Sequence, residues 1–288
     1  MAALLALAAA LAYGVADFLG GAVSRRSTAL KALAWCVPVG LIVVLTAAVI
    51  VGGRFTWTSV AWGFGAGFAG GIGLITFYRA LARGPMSVIA PVSALAAAVL
   101  PVGVGLLRGE RLDATVLAGV LLCLVAIALV SMENNDAAPQ RSASLADNGP
   151  LLAGVSGICF GIFFTLLKAA GDGGGLWPLV AARAGNLCVI GAALLIMVRS
   201  RTEDPGPPVK GRLLIGLAVL SGVLDASANA LYFVAAQKGM LSLVAVLTSL
   251  YPAITVLLAR ITYSERLRVV QRLGLAVAAA GVALVTIG

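Results

Sequence analysis

The chain has 288 residues, of which 61% are hydrophobic and only 11% charged, with a formal net charge of +9. A water-soluble domain of this length cannot hide so much apolar side chain, because too much of it would face solvent. The composition therefore excludes a soluble globular protein and points to a lipid bilayer. The basic excess then reads as loop charge that orients membrane spans, not as a nucleic-acid surface.

A hydrocarbon core about 30 Å thick takes roughly 20 apolar residues as helix. Ten stretches of that kind follow one another: Ala2–Val23, Leu30–Gly52, Ser59–Ala82, Met86–Leu107, Ala114–Ser131, Pro150–Ala169, Leu176–Val198, Arg212–Ala236, Leu241–Ile261 and Val269–Gly288. The apolar runs are continuous and do not alternate with period two, which selects helices over a barrel. The first stretch has no basic n-region and similar segments follow it, so it reads as a retained span, not a signal peptide. The longest connector, Met132–Gly149, has a flexible composition, and Ser200–Gly211 carries Pro205, Pro207 and Pro208. Counted in order, the odd-numbered connections carry fourteen Lys and Arg and the even-numbered ones five. The positive-inside rule places the odd connections in the cytoplasm and both termini outside.

Self-similarity is the most specific signal. At a shift of 155, Phe77–Leu112 lies on Tyr232–Leu267 without a gap: Gly84 meets Gly239, Ser87 meets Ser242, Ser93 meets Thr248, and Glu110-Arg111-Leu112 meets Glu265-Arg266-Leu267. A weaker match at a shift of 147 sets Tyr13-Gly14 on Phe160-Gly161. The expected organisation is a first five-helix repeat over 1–133, a linker over 134–148 and a second repeat over 149–288. An odd number of spans per repeat forces the second copy into the membrane from the opposite face, so the expected fold class is an all-α membrane protein of ten transmembrane helices in two inverted five-helix repeats.

The run Gly84-Pro85-Met86-Ser87, Pro91, Gly109-Glu110-Arg111-Leu112, with its second copy Gly239-Met240-Leu241-Ser242, Pro252, Ser264-Glu265-Arg266-Leu267, resembles the EamA domain of the drug/metabolite transporter superfamily. Phe160-Gly161 to Lys168, followed by Pro178 and Arg183, is similar to the start of such a repeat. The resemblance covers essentially the whole chain and implies ten helices, two EamA domains and transport of small metabolites. The first half departs from it: Gly21 stands where the second half has Lys168, and Asp17 where it has Phe164.

Charges inside spans are costly, so each is a functional candidate. Asp225 shares a helix face with Ser221, Asn229 and Tyr232, and that stripe is expected to face a cavity or a partner helix. It reads either as a site for a substrate amine or proton, or as a hydrogen-bond network between helices. Asp17 offers the protonatable carboxyl that proton-coupled export needs, or pairs with Arg25 or Arg26, or simply lies near the interface. Arg183, with Asn186 one turn on, can grip a carboxylate or phosphate, or neutralise Asp17 or Asp225. Lys168 reads as snorkelling to the interface. Ser93, Thr248, Ser249 and Tyr251 sit beside Pro91, Pro101 and Pro252, whose freed carbonyls can line a polar path or mark a simple kink. Tyr78 and Trp35 are candidates for stacking on a planar substrate, or packing residues.

Other chemistries find little support. Histidine is absent, which removes imidazole ligands and Ser-His-Asp triads. The four cysteines lie in expected spans without a CxxC pair and read as small apolar residues. Gly65-Ala-Gly67-Phe-Ala-Gly70 matches GxGxxG, but no strand precedes it; Gly63, Gly67 and Gly71 form a small-residue ridge for helix packing instead. No phosphate loop of the GxxxxGK[ST] type occurs, so the chain shows no sign of hydrolysing ATP; neither cofactor nor metal is expected.

The expected function is a secondary transporter of a small metabolite working by alternating access, as a proton-coupled or exchange exporter. The substrate or proton site is expected at Asp17, Arg183, Asp225, Asn229, Tyr232, Ser93, Thr248 and Tyr251. Import of a small sugar or amino acid is the nearest alternative. An intramembrane enzyme would need clustered His, Asp or Glu, and a sensor would be expected to carry a soluble region. The chain is expected in the plasma (inner) membrane of a bacterium as a multi-pass monomer or homodimer, with a small-molecule substrate and lipid as partners and no nucleic acid.

Overall fold

The structure is a computed structural model that describes residues 1–109, 113–131, 149–171, 173–200, 207–263 and 269–287. Both Glu-Arg-Leu triplets (110–112 and 265–267) and nearly all of the 132–149 connector lie outside the described residues, as do Arg141, Arg201, Arg266 and Arg268 of the charge pattern. The described residues form helices joined by short connections: α1 (Ala2–Arg26), α2 (Ala29–Val51), α3 (Trp57–Arg83), α4 (Met86–Leu107), α5 (Ala114–Ser131), α6 (Gly149–Ala169), α7 (Trp177–Ser200), α8 (Arg212–Lys238), α9 (Leu241–Thr248), α10 (Tyr251–Tyr263) and α11 (Val269–Ile287).

Among the described residues, eight stretches are long and apolar enough to cross a membrane: α1 to α4, α6 to α8, and α9 with α10 taken together. Helices α5 and α11 coincide with the other two expected spans. Their described apolar cores are shorter, Leu117–Ala126 and Arg272–Gly281, and the two helices pack on each other.

The ninth expected span is made of two helices that together are long and apolar enough for one crossing. Pro252 has no N–H to give to the Thr248 carbonyl, so the α-helical ladder stops there. The chain crosses the gap with three-residue bonds, Leu250 N–H to Leu247 at 3.3 Å and Ala253 N–H to Leu250 at 3.0 Å, before α10 resumes. Pro38, Pro91 and Pro101 are tolerated inside unbroken α2 and α4.

Helix packing follows the small residues. The ridge on α3 faces α7: a Cβ on Gly63 would strike the Pro178 carbonyl, one on Gly67 the Ala182 carbonyl, and one on Gly71 would lie 2.8 Å from Val189 Cβ. Close approach of this kind replaces the hydrophobic drive that lipid removes. Gly65, on the other side of α3, has nothing near it. Gly67→Leu is therefore expected to destabilise the protein by at least about 1–3 kcal/mol through overpacking. Gly65→Leu should leave the melting temperature of the detergent-purified protein nearly unchanged.

The packing comes in matched sets. Helix α1 lies on α8 as α6 lies on α3; α2 lies on α8 as α7 lies on α3; α4 lies on α6 as α9 and α10 lie on α1. Exchanging α1 to α3 with α6 to α8, and α4 with α9 and α10, reproduces each contact.

A second matched set sits at the helix ends. Arg25 at the end of α1 donates from Nε to the Leu81 carbonyl (3.1 Å) and from Nη2 to the Gly84 carbonyl (2.9 Å). Lys168 at the end of α6 donates to the Ala236 carbonyl and, at 3.4 Å, to the Gly239 carbonyl. The two pairs of carbonyls correspond at the shift of 155. Each cation satisfies C-terminal carbonyls of the third helix in its half, where the helix dipole also favours positive charge.

Candidate functional site

Seven helices converge on a cavity with about 520 Å³ of empty space, part of it open to the outside. Tyr13 and Asp17 enter from α1, Gly70 and Leu74 from α3, and Ala97 from α4. Phe160, Phe163 and Phe164 enter from α6, Arg183 and Asn186 from α7, Asp225 and Asn229 from α8, and Tyr251 from α10.

The polar centre is an ion pair. Arg183 Nη1 lies 2.5 Å from Asp225 Oδ2, and the two side chains are 3% and 19% exposed. Asn229 Nδ2 donates to the Asp225 carbonyl oxygen at 2.8 Å and to its Oδ1 at 3.3 Å. One turn of α8 thus holds the carboxylate in place while α7 supplies its counter-charge. Of the two acids that Arg183 could neutralise, it takes Asp225.

Several cavity groups are not satisfied. Arg183 Nη2, Asn186 Oδ1 and Tyr13 Oη are buried and have no hydrogen-bond partner among the described residues. Leaving such bonds unmade costs about 1–3 kcal/mol each, so native folds rarely keep these groups without a use. Asp17 is buried and makes no ion pair or hydrogen bond among the described residues. Of the two arginines that could answer it, Arg25 is directed to the Leu81 and Gly84 carbonyls instead.

The remaining expected site residues divide. Tyr251 lines the cavity, its ring 6.1 Å from that of Tyr13. Tyr232 does not line it; it is buried behind Phe164, with ring centroids 4.2 Å apart. Ser93 does not line it either; its hydroxyl meets that of Ser156 at 2.8 Å, between α4 and α6. Thr248 lies away from it, 3.5 Å from the Ala6 carbonyl. The polar stripe on α8 therefore serves two purposes. Asp225 and Asn229 face the cavity, while Ser221 donates to the Ala16 carbonyl at 2.8 Å and lies 3.3 Å from the Tyr78 hydroxyl, fastening α8 to α1 and α3. Tyr78 is buried in that contact, and Trp35 is 42% exposed on the outer surface.

Polarity alone passes over the apolar half of the lining: Phe160, Phe163, Phe164, Gly70, Leu74 and Ala97. It also leaves Tyr13 unmarked. The repeat register does contain the signal, because Tyr13 corresponds to Phe160 and Asp17 to Phe164 at the shift of 147.

A bundle of apolar helices around a buried, charged, partly open cavity defines an integral multi-pass membrane protein. Residues 147–287 match the EamA-like transporter family. A solved crystal structure resembles the chain with a TM-score of 0.70 and 22% identity, over 99% of this chain and 96% of that one, a likeness that bears on fold alone. No curated protein matches. Through residues 147–287 the chain carries an EamA domain of the drug/metabolite transporter superfamily, a group of membrane transporters and not of enzymes.

Proposed function

We propose that the protein is a secondary active transporter that moves a small metabolite by alternating access, as a proton-coupled or exchange exporter. The observation that carries this reading is the cavity. It is reached by helices from both sequence repeats, it holds a buried ion pair, and it presents a carboxyl, Asp17, that no described residue answers.

The matched packing supports two five-helix modules, 1–133 and 149–288, joined by 134–148 and inserted in opposite directions. Modules that can exchange roles give inward- and outward-open states of similar energy, with the site at their seam. Asp17 is the group that a proton and a substrate amine would occupy in turn, and Arg183 with Asp225 forms the charged floor beside it. The charge bias of the connections supports an orientation with both termini outside, and the reading takes the membrane to be a bacterial inner membrane.

The test is reconstitution of the full chain in liposomes with and without an imposed pH gradient, screened across amino acids, nucleosides and cationic dyes. At least one solute is expected to move more than tenfold faster than in protein-free liposomes, faster still with the gradient. The direction of the gradient that drives it separates export from import. Protein-free rates for every solute would overturn the reading.

A further inference from the structure

The repeat register sorts the cavity lining into two chemically opposite walls. On α1, Tyr13 and Asp17 correspond to Phe160 and Phe164 on α6 at a shift of 147. On α8, Asp225 and Asn229 correspond to Gly70 and Leu74 on α3 at a shift of 155. All eight positions line the same cavity. In every pair one member is polar or charged and the other is not. The polar members all lie on α1 and α8, which pack on each other; the others lie on α6 and α3, which also pack on each other.

A cavity with two equal halves would accept a ligand in either of two orientations. This one does not. Gly70 stands where the second repeat has Asp225, and a Cβ there would come 2.8 Å from Phe163 Cδ2 and 2.9 Å from Asn186 Oδ1. The missing side chain admits the Phe163 ring and the Asn186 amide to the cavity. The neighbouring rings of Phe163 and Phe164, with centroids 5.3 Å apart, give the α6 side an aromatic face. On the polar side, Arg183 cancels Asp225, so the surplus charge of the lining is the single negative charge of an ionised Asp17.

From this asymmetry we propose that the cavity takes a small amine with an apolar, ring-sized body, its ammonium at Asp17 and its body against Phe160 and Phe164. Phe164 and Leu74 are then the specificity-determining residues, because they are the apolar partners of Asp17 and Asn229. An ammonium in this position meets a carboxylate on one side and aromatic faces on the other, both of which favour a cation over an anion. The inference rests on the transporter reading only in taking the cavity as the substrate site.

The test measures binding to the purified full-length protein by calorimetry, with phenethylamine, ethanolamine and 3-phenylpropionate as probes. Phenethylamine is expected to bind at least tenfold tighter than either of the others. Leu74→Asn, which brings a polar group to the apolar wall, is expected to reduce the preference for phenethylamine over ethanolamine at least fivefold. Phe164→Leu should reduce it too, and as a swap between apolar residues it keeps the proposal testable if the Leu74→Asn variant does not fold. Equal binding of ethanolamine, tighter binding of phenylpropionate, or an unchanged preference in the folded variants overturns the proposal. So does the absence of binding by all three probes. In that case, movement of some other solute in the liposome screen leaves the transporter reading standing, and only the substrate class falls.

Discussion

Asp225→Asn and Arg183→Gln are each expected to cut transport at least tenfold and to lower the melting temperature of the purified protein. The double variant is expected to be more stable than the worse of the two singles. The reason is the geometry of the pair. Arg183 is almost fully buried and its Nη1 rests 2.5 Å from Asp225 Oδ2. Removing one partner of such a pair strands the other charge in a low-dielectric site, which costs on the order of 3–5 kcal/mol, whereas removing both charges leaves no stranded ion. An asparagine in place of Asp225 would keep the neighbouring amide bonds but would leave Arg183 with no anion. Activity of the double variant separates two roles. If Arg183 serves only to neutralise Asp225, flux recovers along with stability; if it also contacts the substrate through its unsatisfied Nη2, flux stays low in a stable protein. A double variant as unstable as the worse single would show that the pair is not a stabilising unit.

The helices were largely legible in the sequence because lipid imposes a simple rule of length and hydropathy. The differences have physical causes. Helices α1, α3 and α8 run on through Arg26, Arg83 and Lys238, beyond the expected ends of their spans. A hydropathy reading stops at the first charges, but backbone hydrogen bonds continue and long basic side chains reach outward from the last turn. The split of the ninth span follows from Pro252, yet Pro91 and Pro101 in α4 show that a proline alone does not decide between a break and a tolerated kink.

The site was legible only where chemistry is expensive. Asp17, Arg183 and Asp225 stood out because charge within a span demands a reason. Phe160, Phe163, Phe164 and Leu74 resemble any other apolar residues of a membrane helix, and only the repeat register connects them to the charged wall. Register also has a limit. Gly21 stands where the second half has Lys168, which suggests that the first half lacks that residue's role. Arg25, one turn further along α1, reaches the corresponding carbonyls. A long side chain can serve from an adjacent turn, so the interaction persists where the aligned residue does not.

Asp17→Asn is expected to abolish gradient-driven transport, by more than tenfold, in a protein that still folds. The substitution keeps the size of the side chain, and it breaks no described pair, because Asp17 has none. What is lost is the ability to hold a proton or to balance an ammonium. In the wild type a proton and a cationic substrate would compete for the same carboxylate, so substrate binding should strengthen as pH rises and protons leave. In the variant that dependence should flatten, because nothing remains at the position to titrate. Asp17→Glu, which restores the carboxyl on a longer arm, should recover part of the flux and the pH dependence, a rescue that a purely structural role for Asp17 would not produce. The measurement is flux, in matched liposomes across a series of imposed pH gradients, of whichever solute the screen returns. Wild-type flux from the Asp17→Asn variant would remove Asp17 from the coupling mechanism and, with it, the carboxylate on which the orientation of the bound amine depends.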